Sequence, residues 1–196
     1  MSNSAYNIFC FLLRLNRQFS GVLYFIFLMF LLTGCSAKHN HTYAKYSQYK
    51  GEINQHTRLI QAESRRIFYI LTHQDSFNSI CPKGTIVTFG HILPYQVGTL
   101  VSTEIDHIFK LLWQSQVEEI KQNKNIRLQF LNGFFEGGTE IWELEPENEF
   151  TRVTHTIIVH PQGFFKNLAW NLKVRRKHNK MVEAVLENLK RAAESE

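Results

Sequence analysis

Residues Glu136–Glu196 read EGGTEIWELEPENEFTRVTHTIIVHPQGFFKNLAWNLKVRRKHNKMVEAVLENLKRAAESE and begin with two strand-like segments. Apolar residues recur at every second position in Gly138–Pro146 and again in Thr151–Pro161. This alternation is typical of strands that bury one face. Residues 146–148, between the two segments, read PEN and favour a turn, so the region is predicted to form a β-hairpin.

The pattern changes after the hairpin, where apolar residues follow the three- and four-residue spacing of a one-sided helix. No glycine or proline occurs after Gly163, so one long helix is predicted from Phe164 onward. Its predicted apolar stripe consists of Leu168, Leu172, Met181, Val185, Leu189 and Ala192. A helix of about thirty residues is roughly 45 Å long. Because a single hairpin cannot cover this length, the helix requires a larger, curved sheet.

The order of these motifs resembles a known family. EGGTEIWELEP, then FTRVTHTIIVHP, then a terminal helix that follows a glycine and carries basic residues in its middle, is similar to the polyketide cyclase/dehydrase and lipid-transport family of the START-related superfamily. The resemblance implies an α+β helix-grip fold, in which a strongly curved antiparallel β-sheet wraps a long C-terminal α-helix. It also implies one or two short helices after the first strand and a ligand cavity between the sheet and the terminal helix.

The resemblance covers roughly Ile53–Ala193, and residues 52–196 are predicted to form one START-like domain. A short helix is predicted at Glu63–His73, and the resemblance implies a second one at Asp75–Cys81. Besides the hairpin, strands are predicted at Ile53–Gln61, Thr85–Ile92, Val97–Ile108, Phe109–Lys121 and Asn125–Leu131.

The N-terminal residues have the pattern of an export signal. Two arginines and no acidic residue precede an apolar run at Phe19–Leu32, and Leu32-Thr33-Gly34-Cys35 resembles the lipobox of bacterial lipoproteins. We therefore predict a lipoprotein signal peptide at residues 1–34, lipidation of Cys35 and a polar tether at residues 35–51. The alternative is an uncleaved anchor helix, which the apolar Tyr6–Leu13 favours.

Either reading places the domain at a membrane of the cell envelope. Ser36 follows the cysteine where an inner-membrane retention signal would have aspartate, so the resemblance favours a lipid-anchored protein facing the periplasm from the outer membrane, or else facing the cell exterior. Cys81 would be the remaining cysteine of the mature chain, which allows no intramolecular disulfide. Its neighbours Ile80 and Pro82 supply no charge to stabilise a thiolate, so it is predicted to be a small apolar residue and not a nucleophile.

The charge pattern argues against a nucleic-acid partner. The net charge of the whole chain is only +5, and a nucleic-acid-binding surface would be expected to interleave aromatic residues with its basic ones. The basic residues do cluster in the predicted terminal helix, at Lys173, Arg175, Arg176, Lys177 and Lys180. Such a cluster either contacts anionic lipid headgroups or forms the solvated face of an amphipathic helix.

No strong catalytic motif occurs in the sequence. It has no nucleophile elbow, no Walker loop, no His-Glu-x-x-His motif, no cysteine pair with zinc spacing and no dinucleotide fingerprint. The sequence therefore predicts no metal and no cofactor.

A few polar residues share predicted strand faces with apolar ones. Glu140 aligns with Trp142, and His155 lies on the next strand, so the two can be cross-strand neighbours and act as an acid/base pair. The alternative is that His155 is a hydrogen-bonded core histidine and Glu140 reaches solvent. The full set of predicted cavity residues is Val101, Thr103, Ile105, His107, Trp113, Leu128, Phe130, Glu140, Trp142, His155, Ile157, Leu168 and Leu172.

These features predict a membrane-anchored binding or carrier protein, which is more in keeping with the sequence than an enzyme. Its partner would be a hydrophobic small molecule such as a lipid, a quinone or a polyketide-like compound. The alternative is a cyclase/dehydratase- or hydrolase-type enzyme that uses Glu140 and His155 in the same cavity. A third reading is an interaction protein whose cavity is filled by its own side chains.

Overall fold

The computed structural model describes residues 44–90, 94–106 and 111–195. The predicted signal peptide, Cys35 and His107 lie outside the described residues, as does most of the predicted tether. None of the helices in the described ranges is both long and apolar enough to span a membrane. Residues 46–49 form a short turn, in which the Tyr49 N–H donates to the Tyr46 carbonyl at 2.9 Å. All the elements given below belong to the compact unit Lys50–Glu196.

The predicted α+β helix-grip architecture is confirmed. In chain order the elements are β1 (Glu52–Ile60), α1 (Ser64–Thr72), α2 (Gln74–Ile80), β2 (Thr85–Gly90), β3 (Leu100–Ile105), β4 (Leu111–Lys121), β5 (Asn125–Phe130), β6 (Thr139–Glu147), β7 (Phe150–Val159), α3 (Phe164–Ala169), a π-helical turn (Trp170–Val174) and α4 (Arg175–Glu194). The second short helix implied by the resemblance is present as α2.

All the strands belong to one seven-stranded antiparallel sheet with the order β1-β7-β6-β5-β4-β3-β2. The predicted hairpin is formed by β6 and β7, and Asn148 in its turn has a φ of 55°. The register between β4 and β5 shifts between Val117 and Glu119. Such a β-bulge bends its strand and increases the local twist, which helps the sheet curve around the helix.

The predicted terminal helix is also present, but it is not uniform. The π-helical turn separates α3 from α4, and its wider hydrogen-bond spacing keeps Trp170, Val174 and His178 on one face. That face is turned toward the sheet. The predicted stripe was therefore wrong in its first part, because Leu168 and Leu172 are 43% and 66% exposed. The residues of this part that face the sheet are instead Trp170, Val174 and His178.

The core lies between the sheet and α4. One apolar cluster joins Val182, Leu186 and Leu189 of α4 with buried residues of the sheet, such as Leu144 and Val153. The two short helices close this cluster at the far end, where the Asn188 side chain donates to the Ile80 carbonyl at 2.9 Å. Because the unit Lys50–Glu196 has its own sheet and core, it has the properties of a domain that folds alone.

Candidate functional site

A cavity of about 70 Å³ lies between the sheet and α4. Its walls are mostly apolar and aromatic, with a few polar side chains among them. The lining residues are Phe77, Cys81, Thr85, Val87, Thr103, Trp113, Phe130, Phe135, Glu140, Trp142, His155, Ile157, His178, Met181, Val182 and Val185. Pockets that hold drug-sized ligands have volumes of roughly 300–1,000 Å³. A lipid or a quinone therefore fits only if the walls move apart.

The polar centre of the cavity is Glu140 on β6. Its Oε1 atom accepts a hydrogen bond from Trp142 Nε1–H at 2.9 Å and lies 3.1 Å from His155 Nε2. His155 is directly opposite Trp142 in the register of β6 and β7, with ring centroids 4.4 Å apart. The structure thus brings the predicted pair together, as diagonal neighbours across the hairpin. This contact orients the imidazole with its Nε2 proton toward the carboxylate.

The other nitrogen of His155 has no such partner. His155 and His178 are both buried, and among the described residues neither Nδ1 atom has a hydrogen-bond partner. Their ring centroids are 5.9 Å apart across the gap between β7 and α4. Burial lowers the pKa of His178 well below its ordinary value, and the neighbouring His155 and His56 lower it further. His178 is therefore a neutral imidazole at pH 7, able both to donate and to accept one hydrogen bond.

His178 was missed by the sequence analysis, although the sequence contains a signal for it. Trp170, Val174, His178 and Val182 follow one another at intervals of four, and that spacing defines a helix face. The prediction placed Leu168 and Leu172 on the buried face instead. In that orientation of the helix, His178 would face the solvent.

A third histidine secures the helix beside the cavity. His56 pairs with His155 in the register of β1 and β7, and its Nδ1 lies 2.7 Å from Glu183 Oε1 on α4. Arg58 Nη2 donates to the other oxygen of Glu183 at 2.7 Å. Two residues before His56, the Asn54 amide donates to the side-chain oxygen of Asn179 at 2.9 Å. These contacts tie β1 to α4, so His56 has a structural role.

The charge of Glu140 also affects groups beyond its hydrogen bonds. Burial, followed by the Glu140 carboxylate, raises the pKa of Cys81 to about 11. The same two causes raise the pKa of Tyr95, whose ring packs 4.8 Å from that of Phe89. Cys81 is a free thiol that lines the cavity and remains protonated at neutral pH, which makes it a poor nucleophile.

The structure distributes the described residues of the predicted cavity set among four environments. Seven line the cavity: Thr103, Trp113, Phe130, Glu140, Trp142, His155 and Ile157. Val101 and Leu128 are buried in the core, and Ile105 is half-buried away from the cavity. Leu168 and Leu172 are exposed and do not line it, for the reason given above.

Several wall residues were also not predictable from the sequence pattern. Phe77 and Cys81 come from α2 and its C-terminal end, and Phe135 from the loop before β6. No periodic pattern indicated their position, because the first two belong to a helix known only from the resemblance and the third belongs to a loop. Across the described ranges, no group of three or more His, Cys, Asp and Glu side chains is placed to hold a metal ion. The three histidines are therefore not a preformed ligand set.

The comparisons with known proteins identify the fold. No family model and no curated protein sequence matches the chain. Solved structures do: a major latex-like protein of Panax ginseng has 10% identity and a TM-score of 0.61, with 74% of this chain and 98% of that chain covered. A protein of Thermus thermophilus has 20% identity and a TM-score of 0.60, with 72% and 97% covered. The Aha1 dimer of Colwellia psychrerythraea has 17% identity and a TM-score of 0.56, with 73% and 96% covered. The chain has the START/Bet v1-like helix-grip fold.

Proposed function

We propose that this protein is a membrane-anchored carrier that binds a hydrophobic small molecule between its sheet and its terminal helix. The observation that carries the proposal is the cavity between these two layers, which has apolar walls and one fixed carboxylate–imidazole pair. An apolar enclosure with a few placed polar groups is the usual form of a small-molecule site. The ligand would place its apolar part against the aromatic walls and a polar group near Glu140 and His155.

The volume of about 70 Å³ requires that the cavity enlarge when it binds a ligand. The movable wall in this proposal is the terminal helix, whose His178, Met181, Val182 and Val185 line the cavity, and the hinge lies at its start. Gly163 precedes it with a φ of 84°, in a region that favours glycine, and a side chain there would meet no atom within 4 Å. The π-helical turn that follows is a type of irregularity often found at functional sites. Together these features provide a hinge on which the helix can lift.

The membrane anchor in this proposal is supported by the sequence alone. The apolar run at Phe19–Leu32 and the lipobox-like residues before Cys35 are the features that favour it. Attachment of several acyl chains would hold the domain at the bilayer permanently, since each buried methylene contributes about 0.8 kcal/mol.

Cys81 provides a direct test of ligand binding, because it lines the cavity and is the single cysteine of residues 50–196. Native mass spectrometry of the protein purified from its own cells, followed by organic extraction, should identify a bound apolar molecule. Returning that molecule to the emptied protein should slow maleimide labelling of Cys81, which is measured above about pH 8 so that enough of the thiol is ionised to react. A protein that carries no molecule and whose labelling no lipid or quinone affects would contradict the proposal.

A matched pair of variants separates binding in the cavity from binding elsewhere. Cys81→Phe fills the cavity and should abolish the mass shift from the ligand, while Ile86→Phe adds a similar group at a 57%-exposed position and should leave that shift unchanged. Thermal unfolding of both variants checks that each is folded. Equal ligand loading of the two variants would place the binding site elsewhere.

The second candidate function is catalysis by the same pair, which is favoured by the 3.1 Å contact between Glu140 and His155 inside the cavity. In such an enzyme the carboxylate would orient the imidazole, and the imidazole would transfer a proton to or from the substrate. The extracted molecule distinguishes the two functions. Under the carrier proposal its mass is unchanged after incubation with the protein, whereas a product that disappears in both Glu140→Gln and His155→Ala would establish the enzyme.

A further inference from the structure

The first part of the terminal helix exposes an apolar face. Phe164, Phe165, Leu168 and Leu172 are 73%, 83%, 43% and 66% exposed, and positions 164, 168 and 172 follow at intervals of four. Residues with this spacing lie on one side of a helix. Isolated exposed apolar residues are common, but a contiguous group that includes two phenylalanines marks an interaction surface.

The helix is held to the domain from its opposite side. Trp170 is the fully buried residue of this part, and its Nε1–H donates to Glu52 Oε2 at 2.9 Å. Its ring also stacks near that of Phe134 at 6.5 Å. Since Trp170 fixes the rotation of the helix, the Phe164–Leu172 face is directed away from the core.

The charges around this face are of one sign. The sequence contains no aspartate or glutamate from Phe150 to Val182. Arg175 pairs with Glu52 at 2.5 Å, whereas the other five lysine and arginine residues of Phe164–Lys180 have no carboxylate within ion-pair distance in the described part of the chain. Those residues are Lys166, Lys173, Arg176, Lys177 and Lys180, and all five are exposed.

We propose that this segment, Phe164–Lys180, is a docking helix for the surface of an anionic lipid bilayer. A helix with aromatic and leucine side chains on one face and lysine and arginine beside them lies in the plane of the membrane interface. The apolar residues enter the boundary between headgroups and acyl chains, and the unpaired cations contact anionic headgroups. The docking does not depend on the proposed lipid anchor or on a ligand.

Docking in this way directs one end of the cavity toward the lipid. Trp170, on the opposite side of the docking helix from its exposed apolar face, packs edge-on against Phe135 at 6.1 Å, and Phe135 lines the cavity. If the proposed function is correct, a hydrophobic ligand then exchanges between bilayer and cavity without crossing water.

Vesicle flotation of residues 50–196 tests the docking without the N-terminal segment. The domain should float with vesicles of phosphatidylcholine and phosphatidylglycerol and much less with phosphatidylcholine alone.

Lys173→Gln and Lys177→Gln should each weaken binding about fivefold, as expected for one cation at an anionic surface. The double change Phe165→Ser and Leu168→Ser should remove most binding, while the controls Lys190→Gln and Ile86→Ser should not change it. Thermal unfolding should be the same for all these variants, because the changed residues are exposed or half-buried.

Two outcomes would overturn the proposal. The first is failure of the folded domain to float with anionic vesicles, or equal flotation of the Phe165/Leu168 double variant. The second is a dimer in sedimentation equilibrium that the same double change dissociates, since a second copy would then cover the face. Neither outcome bears on ligand loading, which is measured separately by mass spectrometry.

Discussion

The two parts of the terminal helix differ in what they contact. The second part, α4, buries His178, Val182, Val185, Leu186, Leu189 and Ala193 against the sheet and short helices. The first part buries Trp170 and exposes four large apolar residues. The charges differ too, because the second part carries Glu183, Glu187 and Glu194, whereas the first part has no acidic residue. A continuous helix can therefore be a core element along one length and an exposed surface along another.

The largest expected effect is on the free energy of unfolding, which a leucine-to-alanine change should lower in the second part and not in the first. Leu186→Ala should lower the free energy of unfolding by about 2–5 kcal/mol, because it leaves a cavity at a fully buried position. Leu172→Ala makes the same chemical change at an exposed position and should have an effect within about 0.5 kcal/mol. Urea denaturation of both variants measures the difference. Equal destabilisation would mean that the first part also packs against the core.

His178, near the start of the second part, should make the stability of the domain depend on pH. The pKa of His178 is lower in the folded state than in the unfolded chain, so the unfolded chain binds more protons in acid. Stability is therefore fully present above the unfolded pKa of about 6.5 and falls as the pH drops below it, with a slope of at most about 1.4 kcal/mol per pH unit.

Two variants separate the effect of His178 on the pH dependence of stability from the effects of the nearby His155, His56 and Glu183. His178→Phe should reduce the slope between pH 7 and pH 5 in urea denaturation, whereas His160→Gln, at an exposed position, should keep it. An unchanged slope in His178→Phe would show that other groups control the acid sensitivity.

The smallest expected effect concerns the hydrogen bond from Trp170 to Glu52, which holds the first part of the helix in place. Trp170→Phe keeps an aromatic ring but removes the donor to Glu52, at a cost of about 1 kcal/mol. Amide exchange should then become faster in Phe164–Val174 and remain unchanged in Val182–Ala193. A uniform acceleration along the helix would indicate that the two parts unfold as one.

The sequence was a good guide to the fold where its periodicity was uninterrupted. The alternation on both sides of residues 146–148 predicted the hairpin, and the absence of glycine and proline after Gly163 predicted the long helix. The same reasoning failed at Leu168 and Leu172, because spacing alone does not reveal a π-helical turn. Of two possible stripes, the prediction chose leucines, while the fold buried Trp170 and His178 and half-buried Val174 between them.

The candidate site was also predictable only where the strand periodicity was uninterrupted. Glu140 and His155 came from strand alternation, and the structure places them 3.1 Å apart. The size of the cavity was not predictable, since it depends on how closely side chains from six strands, two helices and a loop fill one space. His178 and Phe135 entered the site through the helix rotation and a loop, neither of which the sequence pattern determined.

The position of β1 in the sheet determines when this domain can finish folding. β1 is the first strand of the chain, but its partner is β7, the last, and the side chains of Gln55 and Thr156 that join across this pair are separated by 101 residues. Pairing at such separation is slow, because the intervening loop must close before any contact forms. A chain still being synthesised therefore exposes β1 as an unpaired edge until β7 emerges. Unpaired strand edges of this kind favour aggregation, so the pairing of β7 with β1 also removes a site at which incomplete chains can associate.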